Sequence, residues 1–153
     1  MKDLGRLTGG LYFEEMEIGT QWHTAGRTLF ESDLAAYVNL TWFTEELFTN
    51  LHDREGVVIQ GRPVPALLVM AAAEGLVLPS MDRTGLAFLH VEMDVKAPIQ
   101  VGDTIRVQCE VIEARLTKAG DKGLVRTLNT VTNQHGQAVL VYQPLRMFKR
   151  RPI

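Results

Sequence analysis

The chain has 153 residues, 46% of them hydrophobic, a formal net charge of −2 and a single cysteine, Cys109. That is one domain's worth of sequence with enough apolar residues for a core, which argues against wholesale disorder. One thiol excludes an internal disulfide and zinc sites built from several thiolates, and no apolar run approaches the roughly 18 residues of a membrane span. The first residues, Met1 to Arg6, lack the apolar stretch of a signal peptide, so the expectation is a soluble, cytoplasmic protein with no membrane role.

The small net charge hides an asymmetry. Residues 1–95 hold six Lys/Arg and fourteen Asp/Glu, net −8, whereas residues 96–153 hold ten and four, net +6. The basic half ends in Arg146, Lys149, Arg150 and Arg151. These are either a solvated strand end and tail or an attraction for a polyanion such as a nucleotide-bearing ligand. A nucleic-acid partner is disfavoured by the near-neutral total and by the lack of a recognition motif.

A short strand is expected around Thr20–Phe30. Ser32 to Leu40 then places apolar residues at 34, 37 and 38, which is helical spacing with Ser32 as N-cap. A second helix spans about residues 65–78, where Pro65 suits a first position and Pro79 ends the element. It is apolar on nearly every face and is expected to be buried all round. From residue 84 the pattern changes to strands, at 86–95, 104–115, 124–131 and 138–148. In the second of these, Ile105, Val107, Cys109 and Val111 share one face. Turn signals separate them at Gly102-Asp103, Gly120-Asp121 and Asn133 to Gly136. No linker or repeat interrupts residues 1–153, which read as one domain. The order predicts an α+β fold, an antiparallel sheet wrapped round the helix at 65–78. Its uncovered edges and open face predict a homodimer or higher homo-oligomer.

Five segments carry a family resemblance. They are Leu11 to Gly19, Gly26-Arg27-Thr28 with Glu31-Ser32-Asp33, Gly61 to Ala66, Ala97-Pro98-Ile99 with Val101 to Thr104, and Asn133 to Gly136. In this order they resemble the hot-dog fold and, more narrowly, the MaoC-like (R)-specific enoyl-CoA hydratases and dehydratases, over nearly the whole chain. The resemblance implies an acyl-CoA thioester as substrate, with water added to a 2-enoyl group or removed from a 3-hydroxyacyl group. It implies no metal and no redox cofactor.

The catalytic segment departs from the family. Its motif runs Leu-Ser/Thr-Gly-Asp-x-Asn-Pro-x-His, and the matching stretch is Leu40 to Asn50. With Leu40-Thr41 in register, Phe43 falls on the catalytic aspartate and Phe48 on the catalytic histidine. Hydration needs a base to activate water and an acid to protonate the α-carbon, and phenylalanine supplies neither. Glu45 and Glu46 lie between the two, and a carboxylate desolvated by Trp42, Phe43 and Phe48 would serve as acid or base. The alternative is that both face solvent on an irregular loop. His52 is a displaced acid or a surface histidine, and His23, His90 and His135 show no metal-ligand spacing.

Glu74 is the one charge in the central helix, two turns beyond Ala66. In some hot-dog thioesterases a carboxylate so placed attacks the thioester or activates water, and a backbone N–H at the helix start polarises the carbonyl. The resemblance puts Ala66 at that start. The alternative for Glu74 is a structural hydrogen bond or ion pair. Trp42, Phe43, Phe48 and Met70 either line an acyl pocket or belong to the core. Arg62, Arg126 and the C-terminal basic residues are candidates for the nucleotide phosphates. Three readings follow: a hydratase/dehydratase with a non-standard site, a thioesterase using Glu74, and a non-catalytic acyl-CoA-binding subunit that works with an active partner.

Overall fold

A computed structural model describes residues 1–153. The strands are β1 (Asp3–Arg6), β2 (Gln21–His23), β3 (Arg27–Thr28), β4 (Gly85–Val95), β5 (Thr104–Leu116), β6 (Lys122–Thr132) and β7 (Ala138–Lys149). The helices are α1 (Glu31–Thr41), α2 (Glu46–Thr49) and α3 (Ala66–Val77). Strand order is β1-β2-β5-β6-β7-β4, with β3 on β5, and all pairs but β1–β2 are antiparallel. This is the α+β hot-dog arrangement, a sheet curled round one helix.

Period-two patterning sets the inner face. Ile105, Val107, Cys109 and Val111 of β5 are fully buried, and Val125 and Val131 of β6 and Leu140 and Tyr142 of β7 continue that layer. Against it α3 lays Val69, Ala72, Ala73 and Val77, whose small side chains let the helix approach the sheet closely. Burying Cys109 among these groups pushes its thiol up to about 12, so it is no nucleophile at neutral pH.

Three expectations need correcting. The early strand is two short ones, β2 and β3, and β1 joins the sheet beside β2. Helix α1 starts one residue before Ser32: Phe30 is its N-cap, and the Asp33 carboxylate accepts from the Phe30 N–H at 2.8 Å. Helix α3 is not buried all round, because the sheet covers one side only. Leu67, Ala71, Gly75 and the following Leu78 stay exposed, a stripe of small and apolar residues. Strand β4 is exposed on both faces for most of its length and forms the free edge nearest β7.

Candidate acyl-binding site

The irregular chain between α1 and α3 is held by two arginines. Arg54 donates to the carbonyls of Leu47 at 3.2 Å and Gly61 at 2.6 Å. Gly61 has φ of 76°, and a Cβ there would meet the Gln100 side chain, so the close turn needs glycine. Arg62 grips both oxygens of Glu31 on α1 and donates to the carbonyl of Phe48. Next to it, Val64 N–H reaches the Ile99 carbonyl at 2.8 Å and Val101 N–H the Arg62 carbonyl at 2.9 Å. These contacts fix α2 and the approach to α3 against the loop after β4.

The result is a cavity of about 160 Å³ at the N-terminus of α3. Phe48, Val64, Ala66, Val69, Ile99 and Leu140 are among its thirteen lining residues, ten of which are hydrophobic. None of the thirteen carries a charged side chain. Leu68 and Val69 return their N–H groups to the Pro65 carbonyl at 3.0 and 3.1 Å. That leaves the N–H groups of Ala66 and Leu67 for an outside acceptor. An uncharged carbonyl meeting Ala66 in this cavity would be polarised by a donor at the positive end of the helix dipole.

The structure brings some sequence candidates together and separates others. Ala66 and Phe48 line the cavity, and Phe43 packs behind Phe48 with ring centroids 5.1 Å apart. The two positions assigned to the family dyad are therefore adjacent in space. Glu45 and Glu46 are exposed and outside the cavity, which is the solvent-facing alternative of the two. The cause is α2, a single turn that buries Phe48 and faces its first residues outward. Trp42 ends α1 in a left-handed conformation, 84% exposed, and Met70 is half-buried but not in the wall. His52 is exposed.

Glu74 lies two turns along α3, roughly 12 Å by helical rise. Its carboxylate accepts from Tyr142 Oη at 2.8 Å and from the buried Arg146 guanidinium. So paired, it lies outside the cavity wall, in the arrangement of a structural ion pair. The proposed phosphate cations are also engaged. Arg62 serves the clamp just described, and Arg126 bonds Glu113 and the Gln143 carbonyl. Arg150 pairs with Glu14 and Arg151 with Glu15, and the Arg151 backbone N–H, with the Arg150 guanidinium, holds the Glu14 carboxyl below its usual range. With Arg146–Glu74, three ion pairs thus link the acidic half of the chain to the basic half.

Sequence reasoning missed most of the cavity wall. Val95, Ala97, Pro98 and Val139 come from strand ends that meet α3 only in the fold. It also missed Lys96, exposed, with no ion pair, between two lining residues. No group of three or more His, Cys, Asp or Glu is placed to hold a metal, and no helix is long and apolar enough to cross a membrane. A wider groove of about 510 Å³ lies at the other end of α3, lined by Arg6, Trp22, His23 and Gly75 to Val77 among others. It contains none of the candidate catalytic residues.

The family model described as "FAS1-like, dehydratase domain region" matches residues 57–141, which include the cavity's α3 and strand-end walls. The chain is 28% identical over 144 residues to a β-methylmalyl-CoA dehydratase of Chloroflexus aurantiacus, covering 93% of this chain and 41% of that protein. It is 26% identical over 148 residues to a mesaconyl-CoA hydratase of Cereibacter sphaeroides, covering 95% and 43%. These named relatives are acyl-CoA lyases. The solved structure of a MaoC domain protein dehydratase from Chloroflexus aurantiacus superposes with a TM-score of 0.88 at 26% identity, over 95% of this chain and 42% of that one. A Mycobacterium tuberculosis protein described as having a double hot-dog fold superposes with a TM-score of 0.78 at 23% identity, over 94% and 46%. The chain thus spans about two-fifths of the curated relatives it matches.

Proposed function

The chain belongs to the family of FAS1-like dehydratase domain regions, MaoC-like in fold, and from that premise we propose that it is the thioester-holding half of an acyl-CoA hydratase/dehydratase. The observation that carries this is the uncharged cavity at the start of α3. Its wall receives an acyl group, and the Ala66 N–H polarises the thioester carbonyl, which favours the enolate-like state of hydration and dehydration alike. The acid and base come from a second hot-dog unit, because no titratable side chain of this chain lines the cavity. Relatives more than twice as long support that division, since they have room for such a unit in the same polypeptide.

Two outcomes test the reading of Ala66. Proline is tolerated at the first turn of a helix, and Pro65, with φ −57° and ψ 138°, already has the conformation that a following proline demands. Ala66→Pro thus deletes the donor without breaking α3. Net loss of one hydrogen bond of about 1 kcal/mol predicts roughly fivefold weaker butyryl-CoA binding by calorimetry. Butyl-CoA, a thioether without the carbonyl, reports any steric effect of the ring and should change far less. Equal losses for the two ligands would end the carbonyl role.

The second unit docks on the exposed α3 stripe and the β4 edge, which carry Leu67, Leu78, Leu86 and Leu89. In the isolated chain a second copy takes that place, giving a dimer. Leu86→Lys with Leu89→Lys is expected to convert the dimer to a monomer in light scattering, since charge on an edge strand opposes pairing. A monomeric wild type would show that this surface does not pair with a second copy.

A further inference from the structure

Both named relatives act on acyl groups that carry an extra carboxylate, whereas the cavity wall here offers such a group no charged side chain. Its wall holds no Lys, Arg or His side chain, and its volume is about 160 Å³. Resting on the thioester-holding role above, we infer that this chain selects short, uncharged acyl groups of about four to six carbons and rejects dicarboxylic ones. An apolar cavity of about 150 Å³ stays dry and takes a ligand the size of benzene, which sets the carbon count at about six. A carboxylate carried into the same wall loses its water and finds no cationic side chain to pair with.

Phe48 limits the depth. It is 8% exposed, packs with Leu34 and Val38, and presents its ring to the cavity. Its backbone carbonyl is held by Arg62, which Glu31 holds in turn. Arg62 and Glu31 are positioning residues for that ring. A resemblance that assigns position 48 to a lost catalytic group thus gains a second meaning: the ring closes off the acyl end.

The test is a calorimetric series on the whole chain with acetyl-, butyryl-, hexanoyl-, octanoyl- and succinyl-CoA. Each buried methylene is worth about fourfold, so butyryl-CoA should bind roughly fifteenfold more tightly than acetyl-CoA. Octanoyl-CoA is expected at least tenfold weaker than butyryl-CoA, and succinyl-CoA at least a hundredfold weaker. In Phe48→Ala the octanoyl penalty should vanish while the succinyl penalty remains. The wild-type series stands alone if that variant does not fold. Succinyl-CoA binding as tightly as butyryl-CoA, or octanoyl-CoA binding more tightly, overturns the selectivity and leaves thioester binding in place. No binding by any acyl-CoA overturns both.

Discussion

Phe43→Asp combined with Phe48→His is expected to raise crotonyl-CoA hydration by the isolated chain roughly 10²-fold or more, since a positioned acid–base group contributes about 10²–10⁴. The geometry makes the exchange local. The two rings already meet at 5.1 Å, and position 48 already lines the cavity below the start of α3. An imidazole there would face the acyl group, with a carboxylate behind it to orient the ring. The backbone at 48 is fixed by Arg62 through a carbonyl, not through the phenyl group, so the clamp survives the change. Core packing of Phe48 with Leu34 and Val38 is lost, at a cost of about 2–3 kcal/mol. A cooperative melt and retained butyryl-CoA binding are therefore required controls. A folded, ligand-binding double variant with no gain in absorbance-monitored hydration would show that the cavity does not present a thioester to these positions. Wild-type turnover as fast as the variant's would show that this chain has an acid and base of its own.

What could be read from the sequence follows from what is local. The inner face of β5 was legible because a strand buried on one side repeats every two residues, and Ile105 to Val111 obey that period without exception. Helix α3 was legible from its apolar run and the prolines at 65 and 79. Strand β1 was not, since Asp3-Leu4-Gly5-Arg6 has one apolar side chain and a glycine; it forms because Gln21 N–H finds the Lys2 carbonyl at 2.7 Å. The exposed stripe of α3 was also hidden. Apolar residues covered by the chain's own sheet and those that await another surface look alike in sequence. Candidate site residues divide the same way. Phe43 and Phe48 were placed by matching a motif, but whether Arg62 is free for phosphate depends on Glu31, thirty-one positions away, and on a backbone carbonyl. For Glu45 the sequence leaves two alternatives, a carboxylate desolvated by aromatic neighbours or one facing solvent, and only the fold decides: one turn of α2 buries Phe48 and leaves Glu45 outside.

Glu74→Ala is expected to lower stability by about 2–3 kcal/mol, because breaking a buried pair leaves an uncompensated charge. The charge left behind is Arg146, whose side chain is 8% exposed and whose guanidinium lies 5.1 Å from the Phe88 ring centroid. Tyr142, fully buried, loses the acceptor of its hydroxyl in the same step. Glu74 itself keeps 22% of its side-chain exposure, which places the loss toward the lower end of the range for buried pairs. In urea, with a slope of about 1–3 kcal/mol per molar, the midpoint should fall by roughly 1–2 M. Removing both charges with packing kept, as in Glu74→Leu with Arg146→Met, should return the protein to within about 1 kcal/mol of wild type. That rescue separates a structural ion pair from a catalytic carboxylate. A nucleophile or base would lose thiol release from acyl-CoA in the rescued double variant as completely as in Glu74→Ala, whereas a structural pair leaves any such release unchanged. Unaltered stability in Glu74→Ala, together with loss of thiol release, would favour the thioesterase reading instead.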